Sequence, residues 1–346
     1  MKKILFITQG NLDHASSRIR AVQYFPLLKK NGYHFVWIPR IPSKKKSLFW
    51  RFLFFPIIKR INAIRILGSV LIVNYDILFI QRYFLPSWCF RYISFFEKKR
   101  VIFDFDDAIY LSDADEKSSV KTKRMICSAD HVITSTTVLA NYAKQINSNV
   151  SVITSPVDIS ALKPGCCSEG GVTVGWIGSE WTSKYLKPLE NVFLLLQSED
   201  KVKYLLVGCT EDLLKGIERK IVPWSLSKEA EYLSQMDIGI MPLESGEFEQ
   251  GKGGYKLFQY MAACIPVVAS PVGINTEIVE PWSNGFLCHS NGEWLESLRI
   301  LVKDRDLRKK MGQMGRIKVQ NYYSLEICTA KLIKVLNELY FSQKQL

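Results

Sequence analysis

The sequence predicts an α/β protein built as two doubly wound domains. Three observations carry that expectation. The chain is 346 residues long, room for about two domains that each bury a core. Short apolar runs alternate with helical spacings along its length, the pattern of parallel sheets wrapped by helices. The alternation is interrupted once, by a stretch rich in Pro, Gly, Ser and Cys over residues 155–171, and then restarts. With 47% hydrophobic, 12% aromatic and 23% charged residues, disorder, collagen-like repeats and a coiled coil are excluded. The 8 cysteines form no C-x-x-C pair, and Cys166 and Cys167 are adjacent. Reduced thiols are therefore expected rather than a disulfide framework.

The first element follows Lys2 and Lys3. Ile4–Ile7 reads as a buried strand ending in the glycine turn Thr8-Gln9-Gly10-Asn11. That apolar run is too short for a signal-peptide core and lacks a small-residue cleavage site. Residues 16–30 then carry a helical spacing up to Gly32, and Phe35–Pro39 reads as the second strand. This strand–turn–helix–strand order opens a doubly wound domain. Further strands are expected at Ile77–Ile80, Val101–Phe105, His131–Ser135 and Val150–Ile153. After the break come Val172–Ile177 running into Gly178-Ser179, then Tyr204–Val207, Ile238–Met241, Pro266–Ala269 and Gly285–Cys288. Helical segments lie between them, and no short-period repeat is visible.

Charge is distributed unevenly. There are 46 Lys and Arg against 33 Asp and Glu, a formal net charge of +13. Between Asp13 and Asp76 there is no acidic residue and there are 12 basic ones, nearly the whole excess. The densest part, residues 40–66, sets Lys44, Lys45, Lys46, Arg51, Lys59, Arg60 and Arg65 among aromatic and aliphatic side chains. The cations cut the apolar run far below the ~18 residues that span a bilayer. Such a segment suits the membrane interface, with aromatics at the acyl boundary and cations among anionic headgroups. Each cation contributes about 1 kcal/mol there. Lys44, Lys45, Lys46, Trp50, Arg51 and Phe54 are the candidate contacts; the competing reading is a pair of core helices with a basic rim. Nucleic acid is not the expected partner, because no zinc-ligand spacing, aromatic RNA-binding motif or basic zipper accompanies the charge.

The most informative stretch is residues 244–280. Gly251, Gly253 and Gly254 precede a helix starting at Tyr255, so its first amides are set in a glycine turn. Those amides and the helix dipole suit a phosphate. Lys252 and Lys256 stand beside the turn and can neutralise a diphosphate, and Gln259 shares a helix face with Lys256. After the strand at 266–270, a second turn containing Gly273 leads to Glu277.

At these residues the chain resembles a known family. KLFQYMAACIPVVASPVGINTEIV is similar to the turn–helix–strand–turn around the nucleotide sugar in family 4 of the retaining GT-B glycosyltransferases, glycosyl transferases group 1. VGWIGSEWTSKYLKPL resembles the strand and glycine turn opening that family's C-terminal domain. MDIGIMPL resembles the strand before the donor loop, and residues 284–316 resemble the closing segments. SSRIRAVQYFPLLKKNGY and VIFDFDDAIY resemble a bacterial branch working on surface polysaccharides. The resemblance implies a GT-B fold, two Rossmann-like doubly wound domains facing across a cleft. It implies an N-terminal acceptor domain over 1–165, a nucleotide-sugar domain over 166–324, and a last helix over 325–346 returning to the N-terminal domain. The implied reaction moves a sugar from a nucleotide diphosphate sugar, as co-substrate, to a hydroxyl of a lipid-linked or polysaccharide acceptor. It would proceed with retention, without metal or cofactor, in the cytoplasm at the inner face of the plasma membrane.

The resemblance also assigns residues. Gly10, Gly178, Ser179, Lys184, Gly251, Gly253, Gly254, Gln259, Gly273 and Glu277 fall to the donor, with Lys252 and Lys256 on the leaving-group charge. The family usually has a glutamate, seven residues and a second glutamate; here Gly251 and Gln259 stand at those places. Gln259 can still hydrogen-bond hydroxyls. Gly251 cannot replace a carboxylate, and Glu247 or Glu249 would have to reach in from the loop. The family's basic pair after the glycine turn lacks its arginine, and Lys184 is either its second member or a solvated residue at a helix start. Asp104-Phe105-Asp106-Asp107 resembles the D-x-D metal motif of GT-A enzymes. In a GT-B domain the cluster ends a strand, where Asp106 or Asp107 binds the acceptor or acts as base, unless it only caps a turn. His14, Arg18 and Arg20, in the first loop and helix start, are candidate acceptor contacts or surface residues. His131, at a strand start, reads as structural. Two rivals remain: another GT-B nucleotide-sugar reaction of epimerase or phosphorylase type, and a catalytically degenerate subunit that binds a partner or membrane.

Overall fold

The computed structural model describes residues 2–41, 55–95, 99–111, 117–162, 171–211, 213–214 and 216–343. The chain divides into two compact units, Met1–Ser155 with Leu325–Leu346, and Pro156–Ser324.

The first unit holds a parallel sheet of β1 (Lys2–Thr8), β2 (Tyr33–Pro39), β3 (Ile77–Gln81), β4 (Arg100–Phe105), β5 (His131–Thr134) and β6 (Val150–Val152). Its spatial order is β2-β1-β3-β4-β5-β6. Strands covered on both faces read as continuous apolar runs, and Ile4–Ile7, Ile77–Ile80 and Val101–Phe103 are all buried. Ile4, Phe6, Tyr24, Leu28 and Phe79 form one core with Leu325, Cys328, Leu332, Val335 and Leu336. Those five recur at helical spacing on the last helix, Leu325–Gln343. Its Asn337 Oδ1 accepts the Tyr33 hydroxyl at 2.7 Å, so residues from the chain's end close the sheet that its beginning forms.

The single helix expected over 16–30 is broken. Ala15–Arg20 is followed by a tight turn at Val22–Tyr24 and a new helix at Phe25–Lys30. Pro26 stands in the first turn of that second helix, where its missing N–H costs nothing; inside a continuous helix it would remove a bond.

The helix Phe55–Ile72 buries Asn62, Ile66 and Val70 and exposes Ile57, Ile61, Ile64, Leu71 and Ile72. Asn62 fastens it by bonding both the amide and the carbonyl of Ile41 (2.8 and 3.1 Å). Ile57, Ile61, Ile64 and Leu71 fall at i, i+4, i+7 and i+14, one stripe of the helix. The six candidate membrane contacts, Lys44, Lys45, Lys46, Trp50, Arg51 and Phe54, lie outside the described residues. Among the described residues, no helix is long and apolar enough to cross a membrane.

The second unit holds β7 (Thr173–Ile177), β8 (Lys203–Val207), β9 (Arg219–Val222), β10 (Ile238–Met241), β11 (Val267–Ala269) and β12 (Gly285–Leu287). Their order is β12-β11-β10-β7-β8-β9. Alternate residues serve opposite faces. Val174, Trp176, Tyr204, Leu206, Ile238 and Ile240 enter one core, while Ile177, Leu205, Val207 and Met241 enter the other. Edge strand β9 was not anticipated, because Arg219-Lys220 interrupts its apolar character; charge of this kind protects an edge.

Residues 156–162, inside the expected linker, belong to this unit. Val157 is buried in its core, its amide bonds Tyr323 O at 3.2 Å, and Arg316 bonds Leu162 O at 3.0 Å. The strand order reverses between β1 and β3 in the first unit and between β7 and β10 in the second. In doubly wound sheets, ligands bind beyond the carboxyl ends of strands at such a reversal.

Candidate functional site

At the reversal of the second unit, β7 ends in Gly178. A Cβ on Gly178 would stand 2.5 Å from the Trp176 ring and 3.0 Å from Lys256 Cε. Lys256 lies over that indole, with Nζ 5.1 Å from the ring centroid. The glycine turn and the helix Tyr255–Ala262 thus meet where the resemblance puts the donor. Tyr260, fully buried, pins them together: its hydroxyl accepts the Ile177 amide at 3.0 Å and donates to Ile240 O at 3.3 Å. Burial pushes that hydroxyl's pKa up.

Two glycines shape the turns. Gly254, at φ +66°, is the N-cap of the helix, and a Cβ there would meet Ile278 Cδ1 at 2.6 Å. Gly273, at φ +55°, lies so close to Gln250 that a Cβ would meet its carbonyl at 2.4 Å. The Gly273 amide donates to Gln250 Oε1 at 2.9 Å. Both conformations are nearly closed to residues bearing a Cβ. The amides of Gly251 and Lys252 bond back to Phe248 O and Glu249 O (3.2 and 3.1 Å), so that turn leaves Gly253 and Gly254 to head the helix.

A second cation group forms around Tyr185, which sequence reasoning passed over. Lys184 Nζ lies 5.0 Å and Lys252 Nζ 5.7 Å from its ring centroid, and Lys252 is also 4.8 Å from the Phe248 ring. The Tyr185 hydroxyl bonds Glu249 Oε1. Of the two loop glutamates considered from sequence, Glu249 is therefore the one joined to the tyrosine that Lys184 and Lys252 face. Gln259 is buried on the same helix as Lys256. Ser179 is exposed and engaged in a capping box with Thr182. Glu277 is exposed, and it is its backbone carbonyl that Lys318 holds, at 2.9 Å. The neighbouring Asn275 is buried and bonds Ser270 O at 3.0 Å.

The first unit's reversal has a different chemistry. Gly10, the donor candidate from the first unit, follows β1, and a Cβ on it would stand 2.6 Å from His14 Cβ. Directly after β3 comes Arg82, at φ +49°, a backbone conformation uncommon outside glycine. Arg82 NH1 bonds Asp106 Oδ1 at 3.0 Å, Asp107 Oδ2 at 2.8 Å and Ser16 Oγ at 3.1 Å. Burial works to raise the Asp106 carboxyl, but Arg82, Arg20 and the Ser16 hydroxyl outweigh it, holding the pKa below the ordinary range. Asp107, 30% exposed against 13% for Asp106, is the more accessible of the two. His14 has its pKa lowered, first by burial and then by Arg82, with Asp106 and Asp107 opposing. Arg18 bonds Leu12 O at 2.8 Å.

Arg20 is not an acceptor contact. It is 1% exposed, grips Asp104 through two bonds and donates to Ile153 O. A guanidinium this deep is kept by its partners, and the sequence could not show a partner 84 residues away. His131 is structural, with Nε2 2.9 Å from Ser151 Oγ. Among the described residues, no group of three or more His, Cys, Asp or Glu is arranged to hold a metal.

Residues 183–318 match the model of Glycosyl transferases group 1. No curated protein matches the chain in sequence. Among solved structures, the chain is similar to a sucrose-phosphate synthase from Thermosynechococcus elongatus, with TM-score 0.75, 15% identity and 99% of this chain and 100% of that one covered. It is similar to a glycosyltransferase from Rickettsia africae ESF-5, at TM-score 0.72 and 15% identity over 98% of each chain. It is also similar to HepE of Anabaena, solved in complex with UDP and glucose, at TM-score 0.70 and 13% identity over 97% of this chain and 100% of that one. Residues 183–318 match glycosyl transferases group 1, and the chain has the GT-B fold of the glycosyltransferases it is similar to.

Proposed function

We propose that this glycosyltransferase takes a nucleoside diphosphate sugar at the β7/β10 edge of the second unit and transfers the sugar to an acceptor hydroxyl bound by the first. One observation carries the donor half: Lys184, Lys252 and Lys256 gather around Tyr185 and Trp176 at that edge, while the nearby carboxylate of Glu249 is taken up by Tyr185. A departing nucleoside diphosphate gains negative charge as the glycosidic bond breaks. Cations already in place there stabilise the transition state more than the ground state. HepE, with UDP and glucose bound, supports a uridine nucleotide as the first choice of donor.

Gly251 stands where a carboxylate would be expected, so the enzyme works without a nucleophile at that place. The resemblance to a retaining family supports retention by front-face displacement, the departing phosphate taking the acceptor's proton. Arg82 NH1 lies between the Asp106 and Asp107 carboxylates, where a divalent cation would otherwise bridge them. That supports a reaction without metal or other cofactor. The acceptor is a lipid-linked or polysaccharide glycan of the bacterial surface, reached from the cytoplasmic face of the plasma membrane. The exposed stripe of Ile57, Ile61, Ile64 and Leu71 continues the acid-free basic stretch, a combination suited to an anionic bilayer.

The test is a thermal-shift screen of the intact protein against UDP, GDP, dTDP, ADP and CMP sugars. Saturation at about 100 Kd stabilises by about 2.7 kcal/mol, a rise of a few degrees. One nucleotide class should stand out; no shift with any of them would sink the donor assignment.

A further inference from the structure

The segment that follows β7 and the loop that precedes Tyr255 meet at Tyr185. Its side chain is buried, and it serves both partners at once. The ring faces Lys184 and Lys252, whose ammoniums stand 5.0 and 5.7 Å from its centroid. The hydroxyl donates to Glu249 Oε1. One phenol thus touches two cations with its face and an anion with its tip.

Glu249 and Lys252 belong to one tight turn, in which the Lys252 amide donates to Glu249 O at 3.1 Å. Side chains three residues apart on a helical turn are neighbours, and opposite charges placed so attract. Here they are kept apart: among the described residues, Glu249 makes no ion pair with Lys252 or Lys184. Its Oε1 goes to Tyr185, and its Oε2 turns back onto Gly246, where a Cβ would stand 2.2 Å away. Lys252 rests instead on two rings, with Phe248 4.8 Å from its ammonium. The turn itself is fastened by other bonds. The Gly251 amide donates to Phe248 O at 3.2 Å, and Gln250 Oε1 accepts the Gly273 amide at 2.9 Å. What the Tyr185 hydroxyl holds is the carboxylate.

We infer that Tyr185 is a positioning residue of the transfer reaction: its hydroxyl keeps Glu249 from neutralising Lys252, so that both ammoniums on its ring meet the leaving diphosphate. The inference rests on the proposal that the second unit takes the nucleoside diphosphate sugar. A carboxylate loose in this turn would pair with Lys252 and repel an incoming diphosphate. A phenol suits the task because it donates one hydrogen bond to the carboxylate while its ring offers the ammoniums a negative face.

The experiment is calorimetric titration of the intact protein with UDP and with inorganic pyrophosphate, the part common to every nucleoside diphosphate. Tyr185→Phe keeps a ring of nearly the same volume in the core and frees Glu249. It should weaken both ligands about tenfold, the value of one charge-assisted hydrogen bond. Adding Glu249→Gln to that variant removes the competing charge and should restore both affinities to within about twofold of wild type. Unchanged binding in Tyr185→Phe would overturn the inference. So would a double variant as weak as the single one, because the hydroxyl would then only support the turn. Wild-type protein that binds neither ligand refutes the donor assignment and this inference together. Wild-type binding with unchanged or unrescued variants refutes this inference alone.

Discussion

The two sheets reverse their strand order at corresponding places and end in opposite chemistry. At the β7/β10 edge, lysines rest on aromatic rings, Lys256 on Trp176 and Lys184 and Lys252 on Tyr185. At the β1/β3 edge the guanidiniums are gripped by carboxylates, Arg20 by Asp104 and Arg82 by Asp106 and Asp107. A lysine over a ring is held by the ring's face. A guanidinium between two carboxylates has already met its anions. The fold supplies the same place twice, and the residues after each strand decide that one edge carries lysines over aromatic rings while the other holds guanidiniums already paired with carboxylates.

The comparison breaks most severely at Arg20. Removing one partner of a fully buried pair leaves the other charge unpaired in the core, which costs about 3–5 kcal/mol. Arg20→Ala should therefore lower the urea midpoint strongly. A double change of Arg20 and Asp104 to Met and Leu should recover much of the loss. A drop below about 1 kcal/mol in the single variant would mean that Arg20 is a solvated residue, and that the two edges differ less than their geometry says.

Lys256→Ala tests the other edge. Its stem is only half-buried, so the melting temperature should change little. Transfer should fall by about 10²–10³, the scale for losing one preorganised group at a developing charge. Product release followed by chromatography measures it. Near-normal turnover would remove Lys256 from the leaving group. Tyr260→Phe sharpens the same edge more gently. It strips the partner from the buried Ile177 amide, costing about 1–3 kcal/mol, and should weaken UDP binding because that bond ties the turn to the helix bearing Lys256.

Much of this fold was legible because each buried strand repeats a simple pattern. Tyr204-Leu205-Leu206-Val207 is apolar throughout, as a strand covered on both faces must be. Strand β9 escaped because edge strands carry charge, and Arg219-Lys220 reads as a loop. The glycine turn before Tyr255 was legible for a related reason: glycines and lysines clustered within one short segment announce themselves without any long-range information. Arg20 read as an acceptor contact or a surface residue because its anion is far away in sequence, and Tyr185 was passed over because its partner Glu249 is 64 residues off. Arg82 did leave a signal, a cation placed directly after the buried run Ile77–Ile80, at the end of a strand where doubly wound domains put function.

The smallest effect separates the two edges by pH. The folded His14 has its pKa lowered below the ordinary 6.5, by burial first and then by Arg82. The unfolded chain therefore binds a proton more readily than the native state as pH falls through about 6.5. Stability rises with pH wherever the unfolded state holds more protons. His14 thus contributes nothing adverse above that pH and weakens the fold below it, down to its own lowered pKa. His14→Gln should flatten the dependence of the urea midpoint on pH between about 5 and 7. The direction is also tied to the carboxylates. Asp106 and Asp107 act to raise the His14 pKa, so Asp107→Asn should lower it further, while Arg82→Met should raise it. Imidazole chemical shifts followed by NMR report both. If neither variant moves the titration, His14 does not feel the Arg82 frame, and the first unit's edge is several independent residues instead of one site.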